Sequence, residues 1–112
     1  MLKLAIALFI LAAIFGSIIL TAILRNKPTP KPVVFIHGGV AAIALLIVIF
    51  FTTGSSGSSP ILSLILFIIA ALGGFTLFAI DMKKKPIPKV LAILHPVIAA
   101  AGLISLILFV IK

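Results

Sequence analysis

Apolar positions along the chain fall into four long runs, at roughly 4–24, 33–52, 61–80 and 87–111, and the polar residues gather in the gaps between them. None of the runs alternates apolar with polar residues, so the lipid-out, lumen-in pattern of a membrane β-barrel is excluded. A helix rises 1.5 Å per residue, and about 20 residues cross a hydrocarbon layer of ~30 Å. Inside lipid a helix satisfies its own backbone groups, so the pattern predicts four transmembrane helices. The gaps are short, which makes consecutive helices antiparallel neighbours. The predicted fold is all-α: an integral membrane four-helix up-down bundle in one transmembrane domain, 1–112. The first run follows Lys3 but is too long for a signal peptide and lacks a convincing cleavage site, so it is read as a retained helix.

A second pattern is superimposed on the first. "KPTPKPVVFIH" at 27–37 and "KPIPKVLAILH" at 85–95 lie 58 positions apart, and both end on a histidine. Lys27, Pro28, Pro30, Lys31 and His37 correspond to Lys85, Pro86, Pro88, Lys89 and His95. At the same offset "LFILAAIFG" at 8–16 matches "LFIIAALGG" at 66–74, aligning Ala12 with Ala70 and Gly16 with Gly74. Apolar segments match by chance easily. The polar register K-P-x-P-K-x5-H is far more specific. The chain therefore reads as two tandem two-helix repeats, 1–54 and 59–112. Two helices per unit makes them parallel repeats about an axis along the membrane normal.

Composition narrows the function. Of 112 residues 64% are apolar, well above a soluble domain's share. There is no cysteine, so thiolate metal sites and disulfides are excluded. The net charge of +8 comes from cations at the ends of the apolar runs, which is the pattern of a membrane protein and not of a nucleic-acid binder. The loop at 25–32 carries Arg25, Lys27 and Lys31, and that at 83–89 carries Lys83, Lys84, Lys85 and Lys89. The loop "TTGSSGSS" at 52–59 carries no charge; it is a polar turn that also looks like an engineered linker. The positive-inside rule places both basic loops in the cytoplasm and both termini outside the plasma (inner) membrane. No acid pair, activated nucleophile or phosphate loop is present, so hydrolytic chemistry is not expected. Ser17, Thr21, Ser63, Thr76 and Ser105 are read as hydrogen bonders between helices.

The candidate chemistry rests on His37 and His95, the only histidines. Each lies about one turn inside its helix, so they share one depth. Neighbouring helix axes are ~8–10 Å apart, which makes the diagonal between the second and fourth helices roughly 12–14 Å. That distance is too long for the imidazoles to touch and suits two rings on opposite faces of a planar macrocycle. Small residues line the same face: Ala41 and Ala99 one turn deeper, with Gly16 and Gly74 on the other helices. Arg25, Lys27, Lys31, Lys85 and Lys89 are candidates to meet the carboxylates of such a cofactor. Asp81, the only acid, is expected to pair with Lys83–Lys85 at the surface, or to accept a histidine Nδ1–H. Pro96, directly after His95, removes a helix hydrogen bond at the site and is expected to kink the fourth helix. Other metal or proton chemistry, or purely structural histidines, remain open from the residues alone.

With four helices and inward histidines at matched depth on two of them, the chain resembles the four-helix membrane b-type cytochromes, the cytochrome b561-like group. The resemblance implies one haem b per chain, ligated by His37 and His95, and electron transfer at the membrane with a quinone or another redox partner. Familiar members carry two haems and four ligands. Two histidines support one haem near one face. The alternative is a non-haem small transporter or an accessory subunit of a larger membrane complex, using the pair for cation, proton or structural roles.

Overall fold

The computed structural model describes residues 1–54 and 57–112, so the expected turn over GSSGSS lies partly outside the described residues. Four helices make up the fold: α1 (Leu2–Leu24), α2 (Lys31–Gly54), α3 (Ile61–Met82) and α4 (Lys89–Ile111), with no strand among the described residues. Each is long and apolar enough to cross a membrane. Large apolar side chains cover the outside, Phe75 being 72% exposed and Phe50 68%. Such a surface belongs in lipid, and the chain is an integral membrane four-helix bundle.

Local chemistry sets the helix ends, in matching fashion in both repeats. α1 and α3 end in the same turn: Lys27 N–H donates to the Ala22 carbonyl (2.9 Å) and Lys85 N–H to that of Ile80 (3.2 Å). These six-residue closures require a left-handed residue just past the helix. Asn26 and Lys84 supply it, both at φ 56°. Asparagine tolerates that conformation, whereas lysine adopts it at a cost. α2 and α4 then start behind prolines, with the Pro30 and Pro88 carbonyls each accepting the first helical bond at 3.0 Å, from Val34 and Ala92. α4 continues through Pro96 as a single helix.

α1 packs most extensively on α2, and α3 on α4; the α2–α3 seam is the thinnest. α1 faces α3, and α2 faces α4, across the diagonals. Several residues meet their own counterparts 58 positions on. Phe9 stacks on Phe67 with centroids 3.9 Å apart, and Phe51 meets Phe109 edge-on at 6.4 Å. Ala5 and Ser63 are fully buried, as are Val48 and Leu106. Gly102 makes room for the phenyl stack, since a Cβ there would lie 3.2 Å from the Phe67 ring.

The hydroxyls behave differently from the sequence expectation. Ser17, Thr21 and Thr76 do not bond across helices. Each bonds back to the carbonyl four residues earlier, on Ala13 (2.7 Å), Ser17 (2.8 Å) and Leu72 (2.9 Å). On lipid-facing positions the own-helix carbonyl is the acceptor within reach. Ser63 Oγ is buried with no hydrogen-bond partner.

Candidate functional site: a facing histidine pair

His37 enters from α2 and His95 from α4, and their ring centres are 6.3 Å apart with planes at 87°. The spacing of helix axes led to an expectation of rings too distant to touch. The inward reach of the two side chains consumes most of the diagonal and leaves the ring planes nearly perpendicular.

The other helix of each repeat fixes its ring. His37 Nδ1 lies 2.7 Å from the Ala12 carbonyl on α1, and His95 Nδ1 lies 2.8 Å from the Ala70 carbonyl on α3. A carbonyl can only accept, so in the neutral ring Nδ1 carries the proton and Nε2 presents its lone pair. This is the tautomer of a metal-ligating histidine whose second nitrogen is held by an outer partner. Asp81 is not that partner: backbone carbonyls take the role in both repeats.

Gly16 and Gly74 explain the access. In a helix the residue four positions on covers a given carbonyl, and Gly16 stands four past Ala12 as Gly74 does past Ala70. A Cβ at Gly16 would lie 3.0 Å from His37 Cε1, and one at Gly74 would lie 3.1 Å from His95 Cε1. The two glycines therefore seat the imidazoles. Ala41 and Ala99 are half-buried one turn deeper. Ala12 and Ala70 are the functional positions that sequence reasoning passed over. Their signal was the matched A-x3-G in both repeats.

Chemically the pair offers two imidazole nitrogens, one from each repeat, with Nδ1 of each ring already held by a carbonyl. No group of three or more His, Cys, Asp or Glu residues suited to a metal ion occurs among the described residues. A metal here must bring further ligands of its own. A haem brings nitrogen ligands of its own and would meet that requirement, with His37 and His95 as the residues to hold it.

At the basic end of the bundle the two loops enclose a cleft of about 520 Å³. Of the five cations expected to face a cofactor, Lys27, Lys31 and Lys85 line this cleft, while Arg25 and Lys89 do not; Asn26, Thr29 and Lys84, unforeseen, line it as well. Asp81 does not pair with its sequence neighbours. Its Oδ2 accepts from Thr29 Oγ1 (2.6 Å) and Lys31 Nζ (2.9 Å), which ties the first basic loop to the end of α3. Thr29 is 7% exposed, so the latch is partly withdrawn from water.

Fold and site define a class: a membrane four-helix bundle with a symmetric histidine pair on its axis. No protein-family model, curated protein or solved structure matches the chain.

Proposed function

We propose that the protein is a membrane b-type cytochrome, similar to the four-helix cytochrome b561-like proteins, with one haem b held between His37 and His95. The observation that carries this reading is the facing pair itself, two rings 6.3 Å apart, each with Nδ1 tied to a carbonyl. When bound, the haem supplies one-electron chemistry.

The chain's own residues have distinct roles in this reading. His37 and His95 would hold the haem iron through their ring nitrogens. The Ala12 and Ala70 carbonyls fix ring orientation and, by accepting from Nδ1–H, make Nε2 a stronger donor. Gly16 and Gly74 keep those carbonyls reachable. The surrounding apolar helices exclude water. The site lies about 9 Å below Lys31 at 1.5 Å per residue, near one face of the bilayer. With the basic loops in the cytoplasm and the termini outside, electrons would enter and leave on the cytoplasmic side, through a quinone or a small redox partner.

The test is a visible spectrum of the detergent-purified protein, oxidised and reduced. A low-spin b-type spectrum with about one haem per chain is expected. A colourless protein that also fails to take up added haem ends the proposal.

A further inference from the structure

The cleft at the basic end has a function of its own. We propose that it binds the headgroup of an anionic phospholipid. The lining comes from both copies of the same loop, Asn26 opposite Lys84, Lys27 opposite Lys85 and Pro28 opposite Pro86, so it sits over the bundle axis. Its composition is two-sided. Ile23, Ile87, Pro28 and Pro86 offer apolar surface, and Lys27, Lys84 and Lys85 offer charge. Such a lining at the end of a membrane span matches a molecule with a phosphate at one end and a glycerol-acyl stem at the other.

Asp81 decides the sign of the site. It is the chain's only acid, and Thr29 and Lys31 both bond its Oδ2. Lys31 neutralises it, and Lys27, Lys84 and Lys85 are left without a carboxylate to balance them. Juxtamembrane lysines near anionic lipid each contribute about 1 kcal/mol, and a phosphate accepts charge-assisted hydrogen bonds from several at once. Lys84 adds an independent observation. Its φ of 56° is a conformation that its counterpart Asn26 adopts more easily, so the second loop carries a conformationally less suited but charged residue at the cleft.

The inference goes beyond the haem reading and does not rest on it, because it uses only the loops and the latch. The experiment is native mass spectrometry in a neutral detergent, counting bound lipid per chain. Phosphatidylglycerol and phosphatidylcholine with identical acyl chains are compared, with inorganic phosphate as a separate arm. One phosphatidylglycerol per chain is expected, with phosphatidylcholine not retained. The triple variant Lys27→Gln/Lys84→Gln/Lys85→Gln should bind phosphatidylglycerol roughly a hundredfold more weakly. The triple variant Arg25→Gln/Lys83→Gln/Lys89→Gln removes the same charge from the same end outside the cleft and should keep the preference. Asp81→Asn frees Lys31 and should tighten binding. Equal losses in the two triple variants would reduce the effect to general surface charge and overturn the site. Full competition by phosphate at the lipid's own concentration would reassign it to free phosphate. A preference present in haem-free protein and lost on haem loading would assign the lysines to the cofactor's carboxylates and overturn the lipid.

Discussion

The two halves of the bundle are built on the same repeat and packed by different rules. In the half away from the basic loops buried residues gather: Leu2, Ala5, Phe9, Ala44, Val48, Pro60, Ser63, Phe67, Gly102 and Leu106. In the half that holds the histidines and the loops, Thr29 and Ala92 are buried to that degree among the described residues, with Ala12 and Ala70 at the boundary between the halves. The first half is closed by apolar pairs that meet their own counterparts, with the Phe9–Phe67 stack at its middle. The second carries almost all of the inter-element polar contacts. Stability and chemistry are therefore separated along the membrane normal. Mutations should sort by depth before they sort by helix.

The largest expected effect lies in the histidine half. His37→Ala and His95→Ala should each abolish a six-coordinate low-spin spectrum, and to a similar extent, because each ring is held in the same way. Gly16→Ala and Gly74→Ala test the seat without removing the ligand. Each adds a Cβ about 3 Å from its ring's Cε1, so haem content should fall while helical circular dichroism is kept. An unchanged low-spin spectrum in either histidine variant breaks the bis-histidine model.

Next comes the apolar half. Phe9→Ala or Phe67→Ala removes one partner of the axial stack and leaves a cavity, for a loss of about 3 kcal/mol. Thermal unfolding in detergent should register that loss with spectral shape retained at low temperature. A phenylalanine variant that loses the spectrum at full stability would show that the halves are not separable.

Ala41→Phe and Ala99→Phe probe the boundary. Overpacking typically costs ~1–3 kcal/mol, and haem per folded protein should drop relative to Ala7→Phe and Ala22→Phe. Full loading in all four would assign the small residues to helix packing alone.

The smallest effect is a gain. Ser63 Oγ is buried without a partner, and the matching position in the first repeat is Ala5. An unsatisfied buried hydroxyl costs ~1–3 kcal/mol, so Ser63→Ala should raise the unfolding temperature by a few degrees. A lowered temperature would mean that the hydroxyl has a partner in the membrane.

Much of this architecture was legible in the residues. Four apolar runs with cations at their ends leave few alternatives to a four-helix membrane bundle, and the K-P-x-P-K-x5-H register brings both histidines to one depth. The closeness of the rings was not legible, because axis spacing says nothing about how far two side chains lean inward. Gly16 and Gly74 were noticed for their small size, and their imidazole neighbours were not. A missing Cβ has many uses, and only coordinates show that an imidazole edge fills the space. The ion pair of Asp81 was expected, but its partner was sought among Lys83–Lys85 because they are near in sequence. The closing turn after α3 carries those lysines around the helix end, while the carboxylate looks across the thin α2–α3 seam to Lys31.

The self-meeting pairs carry an evolutionary consequence. A residue that touches its own counterpart across a two-fold axis would touch itself in a homodimer of half-length chains. Phe9 on Phe67 and His37 on His95 are thus contacts that a two-helix ancestor could make with a second copy of itself, before any duplication joined the halves. In a single chain each copy is free to differ from the other. Asp81, where the first half has Ile23, and Thr29, where the second has Ile87, are substitutions of that kind. A dimer would have to carry both changes twice; the fused chain carries each once, and the two meet in a single latch.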